Sequence, residues 1–291
     1  MMNRFFVGIL GVLSGCTGGG MPPSPPSGPV AYIVGAPYEV GGEWQYPREF
    51  SSYDVTGLGV VMRRPDNGYT ADNEAYDPNG LMAASPVLPL PSIVTVTNLV
   101  NGYSVEVRVN QRGPDQPGRI IAVSPHVARL LEFPPGGVVE VEVKLDTDAS
   151  AALQTHLGAG PHLQAAPVAG IAAQSLAPPG SSASNGAVRQ LLPFSQGPAQ
   201  TQGPSLTGQV SVTTPAPGPL WVRVSGFGSM DGATSTLEKL GSMPTRVVPV
   251  FGGTRTLWAV EAGPYRSVEA ADAALQQELA LGIAGPEIVV R

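Results

Sequence analysis

TADNEAYDPNGLMAASPVLPLPSIVTVTN, residues 70–98, passes from a run of Asn, Gly, Pro and carboxylates into a segment that alternates apolar residues with threonine. Period-two alternation of β-branched residues buries one face of an extended strand, and residues 93–98 have it. Residues 103–110 (YSVEVRVN) and 138–145 (VVEVEVKL) repeat the pattern. Asn101-Gly102 lies between the first two and is a strong hairpin signal, because both residue types tolerate the positive φ of tight turns. Ser124 followed by PHVARLL reads as one short N-capped helix. Strands with a single short helix over residues 54–145 suit a small closed β-barrel. The opening of the stretch sets Glu74 and Asp77 three residues apart on a loop, and paired carboxylates on a loop are suited to acid/base chemistry on sugars. Asp77-Pro78-Asn79-Gly80 also reads as a plain turn, since each of those residue types favours turns.

Length and composition place this barrel in a longer plan. A chain of 291 residues exceeds the usual domain, so two domains with connecting material are expected. Thirty-seven Gly, 31 Pro and 13% charged residues favour β-structure joined by long irregular stretches. A net charge of −6 argues against a nucleic-acid or anionic-membrane partner, either of which calls for clustered Lys and Arg. An uncharged polysaccharide is compatible with it. No HExxH, CxxC or phosphate-cradling glycine loop is present, and no metal or cofactor is expected.

Residues 1–16 read as a signal peptide: Arg4, the apolar run 5–13, and Cys16, the one cysteine of the chain. Residues 17–37 read as a tether, and 38–50, with Trp44, Tyr46 and Pro47, as an ordered lead-in to a domain at 38–148. Between 149 and 218 the only formally charged side chain is Arg189, and Ala, Gly, Pro, Ser and Gln dominate. That composition buries too little apolar surface to offset chain entropy and predicts a disordered linker. Leu191, Leu192 and Phe194 stand within it as an isolated apolar cluster.

The last domain, 219–291, alternates strand and helix signals: a strand at 220–225, a helix at 231–241, strands at 246–251 and 256–262, a serine-capped helix at 267–281 and a strand at 288–290. The order βαββαβ predicts a ferredoxin-like sheet with both helices on one face.

Three parts of the chain resemble known families. TADNEAYDPNGLMAAS, GGEWQYP (41–47), TVTNLVNGYSVEVRVNQRGP (95–114) and GRIIAVS (118–124) resemble rare lipoprotein A, a family of septal peptidoglycan lytic transglycosylases built on a six-stranded double-psi β-barrel. Such an enzyme cleaves between N-acetylmuramic acid and N-acetylglucosamine without water, the muramic C6 hydroxyl closing a 1,6-anhydro ring. The resemblance implies Asp77 as general acid/base, Glu74 as its helper, and Asn110 and Arg112 in the substrate groove. Where the family has a histidine and two aspartates, this chain has Ser85, Gln111 and Ala122, which motivates the alternative of a catalytically degenerate glycan-binding protein. WVRVSGF (221–227) and VEAGPYRSVEAADAAL (260–275) resemble the sporulation-related repeat, or SPOR, domain, which binds glycan strands stripped of stem peptides. Trp221, Phe227 and Tyr265 are expected mostly in its core, a ring exposed among them being the candidate to stack on a sugar face, and Arg223 stands where the family usually has Gln. Leu13-Ser14-Gly15-Cys16 resembles a bacterial lipobox, which implies a lipid on Cys16 and, with Thr17 following, the outer membrane.

Overall fold

The computed structural model describes residues 29–134, 137–157, 205–241, 243–252 and 255–291. Cys16 with its signal segment, and Leu191, Leu192 and Phe194, lie outside the described residues. Among the described residues no helix is long and apolar enough to cross a membrane.

A two-stranded lead-in, β1 (Tyr38–Val40) against β2 (Glu43–Gln45), precedes the first domain. The domain then runs β3 (Asp54–Val61), β4 (Met82–Ala84), β5 (Ser92–Asn98), β6 (Tyr103–Gln111), β7 (Arg119–Val123), α1 (Pro125–Leu130), β8 (Val139–Asp146) and α2 (Thr147–His156). Six of these strands close in the order β4-β7-β3-β8-β5-β6, with β6 pairing back to β4. The β3–β7 and β4–β6 pairs are parallel and the other pairs around the ring antiparallel. This is the double-psi barrel that the resemblance implies. Closure leaves no exposed ladder within the ring.

The alternation seen in the sequence is what fills the barrel. Val94, Val96, Val105, Val107, Val109, Val141 and Val143 are buried in one cluster, and each such side chain contributes about 1.5–3 kcal/mol by leaving water. The hairpin between β5 and β6 forms with a longer loop than the Asn-Gly signal alone implies. Gly102 takes φ +78° and the Asn101 side-chain oxygen accepts from the Tyr103 N–H at 2.9 Å.

The segments read as tether and linker are more ordered than expected where they are described. Ile33 bridges Leu90 by two backbone hydrogen bonds of 2.7 and 2.8 Å, so the end of the expected tether is already part of the barrel. Residues 147–156 form α2, capped by the Asp146 carboxylate accepting from the Ala149 N–H at 2.8 Å. Ser150 Oγ accepts from the Ile93 N–H and Gln154 Nε2 donates to the Pro91 carbonyl, which ties α2 to the barrel. Farther on, β9 (Ser211–Val212) adds to β6 outside the ring.

The last domain follows as β10 (Leu220–Phe227), α3 (Met230–Leu240), β11 (Thr245–Gly252), β12 (Arg255–Tyr265), α4 (Val268–Ala280) and β13 (Pro286–Val290). Its sheet has the order β11-β12-β10-β13, all antiparallel, as βαββαβ predicts. Ser229 and Ser267 cap the two helices, accepting from Gly232 and Ala270 N–H groups. Val222, Val224, Val260, Ala262 and Ile288 sit in the two apolar clusters that also hold residues of α3 and α4.

Glu278 of α4 is fully buried with neither carboxylate oxygen hydrogen-bonded. Burial pushes its pKa up to about 7. The folded state thus holds this proton more tightly than the unfolded chain does. Its contribution is complete below the ordinary carboxylate range and is lost as pH rises through about 7. Glu278→Gln is expected to raise unfolding free energy at pH 8 by about 2 kcal/mol and to leave stability at pH 4 nearly unchanged, as read by denaturant titration at the two pH values.

Candidate active site

Residues 68–80 form the loop that carries both candidate carboxylates, and the sequence folds it by local hydrogen bonds. Thr70 N–H donates to the Glu74 carbonyl at 2.8 Å and the Thr70 hydroxyl donates to Asp72 at 2.7 Å. Asn73 takes the left-handed conformation, φ 72°, that asparagine tolerates. The loop then turns at Asp77-Pro78-Asn79-Gly80, where Gly80 N–H donates to the Asp77 carbonyl at 3.0 Å.

This turn is fastened to α1. The Ser124 hydroxyl donates to the Gly80 carbonyl at 2.6 Å while accepting from Val127 N–H as helix cap, and His126 N–H donates to the Pro78 carbonyl at 3.1 Å. Asp77 therefore sits on a short turn whose C-terminal side is held by α1, while on its other side Tyr76 N–H donates to the Gly68 carbonyl at 3.0 Å. Its side chain is exposed. Oδ1 accepts from the Asn79 N–H at 2.8 Å, and Oδ2 has no partner among the described residues. The segment is a turn, and it presents an accessible carboxylate oxygen.

Glu74 is placed differently. It forms an ion pair with Arg108 and accepts from Asn110 Nδ2 at 2.6 Å. Asn110 is fully buried beneath it, and its own carbonyl accepts from Asp72 N–H. Asn110 therefore holds the acidic loop from below rather than facing a groove. Asp72, which the sequence reading did not single out, is buried beside this pair. Burial and then the Glu74 charge push its pKa up to about 6, against the Thr70 hydrogen bond and the Arg108 charge.

A cavity of about 570 Å³ opens next to the loop. Its apolar wall is Val60, Met62, Ala84 and Ala122, against which Tyr76 packs. Asp77, next in sequence to Tyr76, is not part of the lining. Burial raises the Tyr76 phenol, the Arg64 charge opposes this and the Asp77 charge adds to it, so both charges reach the ring. Gln111 and Ala122, which replace carboxylates of the resembled family, both line this cavity. Gln111 Oε1 accepts from Ala71 and Arg112 N–H groups at 2.7 and 3.0 Å. Ser85, in place of the histidine, is buried, its hydroxyl accepting from Val87 and Leu88 N–H groups.

Arg112 also lines the cavity, but its guanidinium is directed at backbone. It donates to the carbonyls of Leu88 and Val34 at 2.5 Å each and, at longer range, to those of Ser85 and Ile33. It thus clamps residues 33–34, at the end of the expected tether, onto the loop that follows Ser85.

In the last domain the three candidate rings do not share a face. Phe227 packs in the apolar cluster with Ala233 of α3, and Tyr265 in the cluster with Ala271 and Leu275 of α4. Trp221 lies on the opposite face, with the Arg246 guanidinium 3.8 Å from its ring centroid. That face carries a charge row across all four strands in register, Arg246, Glu261, Arg223 and Glu287. Glu261 is fully buried and accepts five hydrogen bonds, from Arg223, Arg246 and Arg291. Burial alone would raise its pKa, but the hydrogen bonds of Arg291 and Arg246 and the charges of Arg291 and Arg223 hold it below the ordinary range. Arg223, in place of the family's Gln, is thus bound into a network centred on Glu261.

The fold and the site define a closed double-psi barrel with a carboxylate-bearing loop whose Tyr76 packs on a cavity wall, joined to a four-stranded α+β domain. Residues 64–143 match the family model described as lytic transglycolase, and residues 216–291 match the SPOR domain model. The chain is 32% identical over 245 residues to the endolytic peptidoglycan transglycosylase RlpA of Pseudomonas aeruginosa PAO1, covering 80% of this chain and 70% of that protein. It is 36% identical over 160 residues to the RlpA of Yersinia pestis, covering 47% and 44% of the two chains. Against the RlpA of Escherichia coli K12 it is 30% identical over 200 residues, covering 62% and 54%. This chain belongs to the RlpA family.

Proposed function

We propose that the chain is a peptidoglycan lytic transglycosylase that cleaves stem-peptide-free glycan strands at the division septum, giving 1,6-anhydro products. The observation that carries the reading is Asp77: an accessible carboxylate on a turn fastened to α1, next in sequence to Tyr76, which packs on the wall of a cavity of about 570 Å³. The relatives' names, endolytic peptidoglycan transglycosylase, support the reaction class. Asp77 delivers a proton to the glycosidic oxygen and takes one from the attacking C6 hydroxyl, the two roles of one positioned carboxyl. Glu74, fixed by Arg108 and Asn110, supplies negative charge beside the developing oxocarbenium. The terminal domain holds the strand through the sheet face that carries Arg223 and Arg246, the latter covering the buried Trp221 ring, and a lipid on Cys16 anchors the chain to the outer membrane, facing the periplasm.

A second reading is favoured by Gln111 and Ala122, which stand in the cavity lining where the resembled family has aspartates: a glycan-binding protein that does not cut. Incubation of the full chain with amidase-treated sacculi separates the two. Release of 1,6-anhydro muropeptide-free glycans, measured by mass spectrometry, supports the lytic reading. Binding without such products leaves the scaffold.

A further inference from the structure

The two domains are in contact through strands that also build the cavity. Leu58 of β3 and Leu99 share one buried cluster with Leu220, Leu275, Ile288 and Val290 of the last domain. The Thr56 hydroxyl donates to the Val290 carbonyl at 2.8 Å, so β13, an edge strand of its sheet, is covered by β3. A Cβ added at Gly57 would lie 2.9 Å from the Ile288 carbonyl oxygen, so glycine there permits the approach. Arg119 of β7, nearly buried, forks onto Asp272 of α4 at 2.5 and 2.8 Å. A bidentate guanidinium–carboxylate pair fixes orientation as well as contact.

The connecting chain has no slack where it approaches the joint. Thr213 N–H donates to Gly102 O, Ala216 N–H to Leu99 O, and Gly218 N–H to the Glu140 carboxylate. Residues 213–218 are therefore stitched to the barrel up to the start of β10.

Along β3 the joint residue Leu58 is two positions from Val60 in the cavity wall, and along β7 Arg119 is three from Ala122. At a strand rise of about 3.3 Å per residue, the joint lies roughly 7–10 Å along the strands from the cavity. The face of Trp221 and Glu261 is on the side of the sheet away from α3 and α4.

We infer that this joint is a built-in spacer: it holds the strand-binding sheet at a fixed offset from the cavity, so that one glycan strand engages both surfaces and is cut at a set distance from where it is held. The inference rests on the proposed function, in which both surfaces contact glycan. Fixed spacing makes the second contact intramolecular at high effective concentration, and it restricts which bond reaches Asp77.

Asp272→Arg tests it by placing like charges face to face on a side chain outside either binding surface. In the full chain, hydrogen exchange at residues 54–58 and 286–290 is expected to be slow for wild type and fast for the variant. Affinity for long stem-free strands is expected to fall about tenfold, and the product-length distribution to broaden. The charge-swapped pair Arg119→Asp with Asp272→Arg is expected to restore all three. Fast exchange at the joint in wild type, or unchanged affinity and product lengths once the joint is open, would overturn the inference. A wild type that binds strands but yields no anhydro product sinks the lytic reading alone, and the exchange and affinity measurements still decide the joint.

Discussion

Replacement of Arg112 by alanine is expected to cost the barrel about 2–4 kcal/mol, because two short charge-assisted hydrogen bonds are lost and the carbonyls of Leu88 and Val34 lose that donor. For a unit of this size that corresponds to a thermal midpoint roughly 10 °C lower. Arg112→Lys should recover only part of it, since one ammonium cannot span carbonyls contributed by two separated segments in the way a planar fork does. The same pair of variants tests what Arg112 is for. A side chain that binds substrate would, when removed, weaken glycan affinity and leave the midpoint where it was. A clamp does the reverse, and scanning calorimetry alongside strand binding distinguishes the two.

That outcome bears on how far the sequence could be read. Alternation in β5, β6 and β8 was visible because one face of each is buried, and the caps of α1 and α4 were visible because serine at a helix start has a local cause. By contrast β3, DVTGLGVV, is interrupted by two glycines that serve close approach, Gly57 to the last domain and Gly59 to Val141, so its periodicity is broken by packing. The segment 205–218 is polar and proline-rich, as a linker is, yet it runs along the barrel through backbone hydrogen bonds. Main-chain pairing leaves no side-chain signature. Residues 147–156 carried a signal in Asp146, three residues before the N–H it caps, which composition obscured.

The site divides the same way. Asp77 and Glu74 were legible because the motif around them is local. Their partners were not, since Arg108, Asn110 and Ser124 come from β6 and the start of α1 and meet the loop only when the barrel closes. Trp221 was legible as an aromatic on an alternating strand, but its separation from Phe227 and Tyr265 depends on which face each residue takes after the bulges of β10 and β12.

Asp77→Asn is expected to lower the rate of 1,6-anhydro product formation about 10³-fold, within the range that a positioned proton carrier supplies. The substitution isolates chemistry from fold. An asparagine side-chain oxygen can accept from the Asn79 N–H as the aspartate does, and asparagine favours the same turn. The attachments of Pro78 and Gly80 to α1 run through backbone carbonyls that the substitution does not touch. Thermal midpoint and strand affinity should therefore stay at wild-type values while turnover collapses. Glu74→Gln should behave otherwise. It removes a charge from Arg108, which is itself mostly buried, so part of its effect should appear as lost stability. A variant at Asp77 that keeps more than about a tenth of the wild-type rate, against the 10²- to 10⁴-fold expected of such a group, would mean that the proton travels through another residue. One candidate is then Asp72, whose pKa of about 6 suits proton transfer but whose burial beneath Thr70 and Glu74 requires the loop to open first. A pH–rate profile falling with a midpoint near 6, and losing that midpoint in Asp72→Asn, would identify it.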